Sequence, residues 1–204
     1  MLPHPHEAAL AALAARDKDI AAALAEIGLP PPRDRPPGFA SLLRTIVGQQ
    51  ISAKAAATLW ERLLAAVDPL SPKTVARLDL DALRALGLSR QKAVYARGLA
   101  LDIVEGRIDL DRLPLLEDQA AIEHLMQIKG IGKWSAEVYL LFALGRPDIF
   151  PAGDLALQVA MQRLKRLRKR PDPKRLIRLV EPWRPYRGAA AHFLWHYYAK
   201  GVPL

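Results

Sequence analysis

Leu125-Met126-Gln127-Ile128-Lys129-Gly130-Ile131-Gly132-Lys133-Trp134-Ser135-Ala136 reads as the end of one helix, a tight Gly-Ile-Gly turn and the start of a second helix. The two glycines permit backbone angles that other residues rarely adopt, and they let a ligand approach without a Cβ in the way. Amides at the head of the second helix would point at an anion, and Lys133 adds positive charge there. A phosphate of a nucleic-acid backbone suits such a pocket, whereas the plainer reading is an ordinary helix-to-helix turn. A nucleotide-binding phosphate loop is excluded, because its glycines stand further apart and Ser or Thr follows its Lys, and here Trp134 follows Lys133.

Outward from this hairpin, apolar residues recur at three- and four-residue spacings, β-branched runs are few, and Ala, Leu and Arg dominate. That pattern predicts an all-α protein, a globular bundle of many short helices. A first helix is expected over about residues 6–27, ending at Gly28; five prolines in residues 29–38 then exclude helix and predict an extended linker. Further helices are expected at about 39–48, 52–66, 72–78, 80–86, 90–105, 118–127, 133–144, 155–167, 173–180 and 187–200, with Gly, Pro, Ser or Asp between them.

The chain has 204 residues, enough for one ordinary domain or two small lobes with a self-sufficient core. Its net charge of +9 and pI near 10 make polyanions the expected partners, nucleic acid first and an anionic membrane surface second. With no Cys, disulfides, thiolate zinc sites, iron–sulfur clusters and cysteine nucleophiles are excluded. Residues 1–30 lack a basic start followed by an uninterrupted apolar core, and no run of about 18 apolar residues occurs. The expectation is a soluble intracellular protein without a membrane partner.

Downstream of the hairpin, Gly145-Arg146-Pro147-Asp148-Ile149-Phe150-Pro151-Ala152-Gly153-Asp154-Leu155-Ala156-Leu157 is a Gly/Pro-rich loop that runs into a helix with Asp154 at its threshold. A carboxylate there accepts backbone amides as an N-cap, which alone is sufficient reason for an Asp.

Taken together, the hairpin, this loop and two further segments resemble the helix–hairpin–helix DNA glycosylase superfamily, closest to 3-methyladenine DNA glycosylase II and its shorter bacterial and fungal relatives. The further segments are Phe39-Ala40-Ser41-Leu42-Leu43-Arg44-Thr45-Ile46-Val47-Gly48-Gln49-Gln50-Ile51-Ser52, and Trp183-Arg184-Pro185-Tyr186-Arg187-Gly188 leading to Trp195. The resemblance spans residues 39–201 and implies an all-α fold of two helical lobes with the active site in the cleft between them. It divides the chain into residues 1–37, a helix and linker packing with the C-terminal lobe; 38–146, a six-helix lobe carrying the hairpin 125–136; and 147–204, a C-terminal lobe carrying Asp154.

The resemblance also assigns roles. Gly130, Ile131, Gly132, Lys133 and Ser135 would hold a DNA phosphate, with a Na+ or K+ ion on the backbone carbonyls of Met126, Ile128 and Ile131. Asp154 falls on the family's essential aspartate, where a carboxylate stabilises an oxocarbenium-like transition state and orients water. Gln50 is the wedge that fills the gap left by a flipped nucleotide; its plainer reading is a solvated turn. Trp134 and Trp195 line the base pocket, where an electron-rich ring stacks on a base made cationic by alkylation. Val138 and Leu155 stand where the best-known enterobacterial member carries aromatics. Strand-cutting relatives have a Schiff-base lysine where this chain has Trp134, so the resemblance implies a monofunctional glycosylase that leaves an abasic site. No metal or redox cofactor is required for the hydrolysis, the partner is double-stranded DNA with a damaged base, and a monomer is expected.

Two other readings stand beside this one: a non-catalytic binder of distorted or damaged DNA, and a glycosylase for another lesion class. Nine basic residues and one acid lie in residues 163–178, giving +8 of the molecule's +9. Such a cluster either binds phosphates by counterion release or is a solvated face. His192 and His196 share a helical face, but no Glu follows His192, so a zinc-protease motif fails.

Overall fold

The computed structural model describes residues 4–32 and 35–201, with Ala53 described through its backbone alone. Among the described residues there are twelve α-helices, two short 3-10 turns and no strand, in keeping with the all-α expectation. They are α1 (Glu7–Ala14), α2 (Lys18–Ile27), α3 (Phe39–Gly48), α4 (Ala53–Ala66), α5 (Pro72–Arg77), α6 (Leu80–Ala85), α7 (Arg90–Val104), α8 (Asp118–Met126), α9 (Lys133–Ala143), α10 (Leu155–Leu164), α11 (Pro173–Val180) and α12 (Arg187–Ala199). The 3-10 turns are Leu113–Leu115 and Glu181–Trp183. None of the described helices is long and apolar enough to cross a membrane.

The chain forms two compact units, named for their place in the sequence: a central one, Arg35–Leu144, and an outer one made of Met1–Asp34 and Gly145–Leu204. The central unit carries seven α-helices, one more than the six-helix lobe the resemblance implies and in keeping with the separate short helices at 72–78 and 80–86 that the spacing predicts. Ser71 and Thr74 form a reciprocal capping box at α5, and Asp79 accepts the Ala82 amide at α6.

The core of the central unit is built around α3, which packs on α4, α7 and α9. Leu42, Leu43, Ile46 and Val47 of α3 are fully buried. Its two buried hydroxyls are satisfied within the segment: Ser41 Oγ donates to the Pro36 carbonyl at 2.5 Å and Thr45 Oγ1 to the Ser41 carbonyl at 3.0 Å. Burying them therefore leaves no unpaired polar group. Tyr139 of α9 accepts the Gly38 amide at 2.8 Å, tying the entry of α3 to α9.

In the outer unit α12 packs on α10 and α1, and α2 packs on α1 and α10. The buried run Gly188-Ala189-Ala190-Ala191 lets backbones approach closely, and Phe193, Leu10, Leu13 and Ile20 fill the remaining space. The single N-terminal helix expected over residues 6–27 is two helices. Asp17 interrupts it: its Oδ1 accepts the Asp19 and Ile20 amides at 3.1 and 3.4 Å, capping α2. The same carboxylate takes Lys165 Nζ at 2.5 and 2.7 Å and Trp183 Nε1 at 2.9 Å. Burial acts to raise its pKa, but these donors outweigh burial and hold the carboxyl below its ordinary range. A continuous helix would forfeit all of these bonds.

Lys165 also shortens α10, expected to run to 167. The helix ends at Leu164, Lys165 is drawn to Asp17 and Asp19, and Arg166 turns into the left-handed region at φ +49.

Candidate active site

The carboxylate site belongs to the outer unit. The loop before α10 is tied to the start of α12 through Asp148, which takes Arg187 Nε and Nη2 in a two-pronged pair at 2.9 and 2.8 Å. Arg184 joins at 2.5 Å, and the Gly188 amide donates to the Pro147 carbonyl at 2.7 Å. Arg187 is buried, so the pair sits where a fork-shaped charge-assisted contact holds its geometry best. Ile149, Phe150 and Ala152 fill the core beneath the loop, and Gln158 Nε2 donates to the Ala152 carbonyl at 3.0 Å.

On this support stands Asp154, half-buried, at the N-cap of α10. Its Oδ1 accepts the Leu157 amide at 3.0 Å and the indole N–H of Trp195 at 3.2 Å. Capping and the reading as a reactive carboxylate are therefore compatible, since two donors on one oxygen fix the side chain's rotamer. Trp195, read as a pocket wall, is also an orienting donor. Its ring meets His192 edge-on, with centroids 6.2 Å apart. Leu155, the first residue of α10, is 56 % exposed.

The hairpin belongs to the central unit. Helix α8 ends at Met126, and the turn closes with Ile128 N–H on the Leu125 carbonyl at 3.1 Å and Ile131 N–H on the Ile128 carbonyl at 3.0 Å. Gly130 has φ +92, and a Cβ there would stand 2.3 Å from the ring of Tyr95. Both the backbone and the neighbour therefore require glycine. Gly132 is the N-cap of α9 and has open space where a Cβ would be. By the geometry of any helix start, the Lys133 and Ser135 amides lack an intrahelical acceptor.

The side chains of the hairpin divide differently from the expectation. Lys133 is exposed and lies 3.9 Å from Glu137 one turn on. Ser135, read among the DNA-binding residues, is buried, with its Oγ 3.5 Å from Gln49 Nε2. Its hydroxyl thus serves the fold, while its amide lies in the first turn of α9. Gln49 was not singled out by the sequence. It donates to the Gly130 carbonyl at 2.8 Å and so pins the turn to the end of α3. The only signal for it was its place in a Gly-Gln-Gln turn, far from the hairpin in sequence.

Gln50 is exposed at the tip of the α3–α4 turn with φ +56. A non-glycine residue in that region costs on the order of 1 kcal/mol, and such strain collects at functional turns. Next to it Ile51 is 38 % exposed and lines a cavity of about 340 Å³ together with Gly48, Trp134, Val138, Arg35 and Arg44. The structure thus brings Trp134 and Val138 to one cavity, Trp134 at its mouth and 41 % exposed, Val138 buried. The two arginines at this cavity were also missed; Arg44 stands over the Trp60 ring at 5.7 Å and Arg35 over Phe142 at 5.4 Å.

Comparison with known proteins gives these features a context. A family described as HhH-GPD superfamily base excision DNA repair protein matches residues 43–185. DNA-3-methyladenine glycosylase 1 of Schizosaccharomyces pombe is 32 % identical over 77 % of this chain and 71 % of its own. YfjP of Bacillus subtilis is 34 % identical over 76 % of this chain, which spans 56 % of that relative's length. Among solved structures, the S. pombe 3-methyladenine DNA glycosylase in complex with abasic DNA superposes with a TM-score of 0.84 at 30 % identity, covering 92 % of this chain and 94 % of that one.

Proposed function

The chain belongs to the HhH-GPD superfamily of base excision DNA repair proteins, and from that premise we propose that it is a DNA glycosylase that hydrolyses the N-glycosidic bond of alkylated purines, of the 3-methyladenine and 7-methylguanine type. The observation that carries the reading is Asp154, a half-buried carboxylate at the head of α10 whose orientation is fixed by the Leu157 amide and the Trp195 indole. Relatives named as 3-methyladenine DNA glycosylases support the substrate class.

In this reading a nucleotide leaves the duplex, and Gln50 at the strained α3–α4 turn fills the gap. The amides of Gly132, Lys133 and Ser135 take a backbone phosphate, with the charge of Lys133 nearby. The carbonyls of Met126, Ile128 and Ile131 would hold a Na+ or K+ ion. The Ile128 carbonyl already accepts one N–H in the turn, which leaves a second lone pair, so a cation fits the donor set. Such an ion supplies positive charge beside the phosphate.

The lost base is stacked by Trp134 and bounded by Val138. An alkylated purine carries positive charge, so it leaves with little acid assistance, and the aromatic face favours it over a neutral base. As the C–N bond lengthens, positive charge develops on the sugar. Asp154 stabilises that charge and accepts a proton from the attacking water. The products are the free base and an abasic site. Trp134 follows Lys133 where a lyase would need an amine nucleophile, so the strand stays intact and no cofactor enters the chemistry. The partner is duplex DNA with a damaged base, met by a monomer at the nucleoid in the cytoplasm.

The test is release of free bases from methylated genomic DNA, resolved by chromatography, with strand nicking scored before and after alkali. Expected are methylpurines from the wild type, none from Asp154→Asn, and nicks only after alkali. Substantial release by Asp154→Asn would remove the carboxylate from the mechanism. Nicks before alkali would make the enzyme a lyase.

A further inference from the structure

Beyond the end of α10, at the opposite end of that helix from Asp154, positive charge is concentrated. In residues 168–178 the six cations Arg168, Lys169, Arg170, Lys174, Arg175 and Arg178 are all exposed. Among the described residues none of them is in an ion pair, and the one acid among them, Asp172, caps α11 through the Arg175 amide at 2.8 Å. The neighbouring Lys165 shows the contrast: it is the cation with a structural partner, clasped by Asp17 and Asp19.

The six are presented by a supported segment. Pro171, Leu176 and Val180 are buried and Leu167 half-buried, so apolar residues anchor the loop and α11 from beneath while the cations face outward. Six like charges held this close repel one another, which costs stability. Helix α10 has Asp154 at its start and this face beyond its end, about 15 Å apart by the rise of a ten-residue helix. The face therefore lies outside the reach of a base at Asp154.

We propose that this face is a second DNA-binding surface, taking backbone phosphates of a duplex outside the damaged nucleotide. It rests on the reading of the protein as directed at DNA, and it assigns the face a sequence-independent, electrostatic role. Exposed Lys and Arg spread over a loop and a short helix suit a repeating line of phosphates, which needs point charges and no fixed register.

The experiment measures equilibrium binding of the full chain to undamaged duplex DNA across a range of salt. Two variants neutralise the face in halves: Arg168→Gln with Lys169→Gln and Arg170→Gln, and Lys174→Gln with Arg175→Gln and Arg178→Gln. A control removes three exposed charges elsewhere, Lys18→Gln with Lys73→Gln and Arg77→Gln, and all are checked for unchanged thermal unfolding. Each half of the face is expected to make the slope of log K against log salt shallower by about 2–3, at about 0.9 per phosphate given up. The control is expected to keep the wild-type slope, and Arg→Lys replacements in the face to keep it too. Unchanged slopes in both halves overturn the proposal and leave the face to solvent or an acidic protein, as does a control that changes as much as they do. Undamaged duplex contains no lesion, so failure of base release would leave this result standing, and unchanged slopes would leave the glycosylase reading standing.

Discussion

Asp154 shows how much one side chain is asked to do. As an N-cap it contributes about 1 kcal/mol to α10, yet one of its oxygens is also claimed by the Trp195 indole. A merely structural cap needs only the amide bond. Replacing Trp195 with Phe keeps a ring in place and deletes the N–H. Loss of a hydrogen bond to a charged group is worth about 1.5–3 kcal/mol, so Trp195→Phe is expected to lower the single-turnover rate of base release at least about tenfold. Affinity for an abasic duplex is expected to change by less than about threefold, because the contact orients the carboxylate and does not touch the phosphates. A loss confined to affinity would make Trp195 a wall of the pocket and nothing more.

At the scale of the element, the hairpin separates two glycines that look alike in sequence. Gly130 combines φ +92 with a Tyr95 ring 2.3 Å from any added Cβ. Gly130→Ala is therefore expected to destabilise the protein by about 2–4 kcal/mol and lower its melting midpoint by about 5–15 °C. Gly132 has no such neighbour, so Gly132→Ala is expected to stay within about 1 kcal/mol of wild type. Its methyl would nevertheless stand in the path of a phosphate, and weaker duplex binding is expected. Paired thermal unfolding and duplex titration check both variants; equal destabilisation would mean that the turn is not held as described.

The same scale shows what the sequence made legible. Helix starts were readable because their causes are local: Ser52, Ser71, Asp79, Ser89, Asp154 and Asp172 each sit just before a helix and accept its first-turn amides. The break between α1 and α2 is only half local: Asp17 caps α2 as the others cap theirs, but its bonds to Lys165 and Trp183 reach far along the chain. Gln49 was not readable, since its value lies in reaching the Gly130 carbonyl. The resemblance marks both Asp154 and Trp195 as site residues, but the bond between them is not legible, since no spacing rule joins a loop aspartate to a distant helix. Residue types report what a site can do, and only the fold reports who holds whom.

At the scale of the whole molecule, Glu137 couples stability to pH. It is buried on α9, and burial raises its pKa to about 7 against the opposing pull of Lys133. The unfolded carboxyl titrates near 4.5. Between these values the folded protein keeps a proton that the unfolded chain has released, so this group's contribution declines as pH rises towards about 7 and is level above it. Relative to Glu137→Gln, the wild type is expected to lose about 2 kcal/mol of unfolding free energy between pH 5 and pH 8. Urea titrations of both proteins across that range measure it; parallel curves would show that Glu137 is already ionised at pH 5.

The outer unit is made from both flanks of the central one, and that arrangement sets an order of events during synthesis. The central unit is a single run that can close soon after it leaves the ribosome. Helices α1 and α2, made before it, must wait for Lys165, Trp183 and the rest of α10–α12, a delay of roughly 10–30 s at about 5–20 residues per second. For that interval Leu10, Leu13 and Ile20, fully buried in the finished fold, face water. A nascent chain stalled near residue 150 would therefore present a folded hairpin unit and a sticky amphipathic arm, which is the form a chaperone would meet.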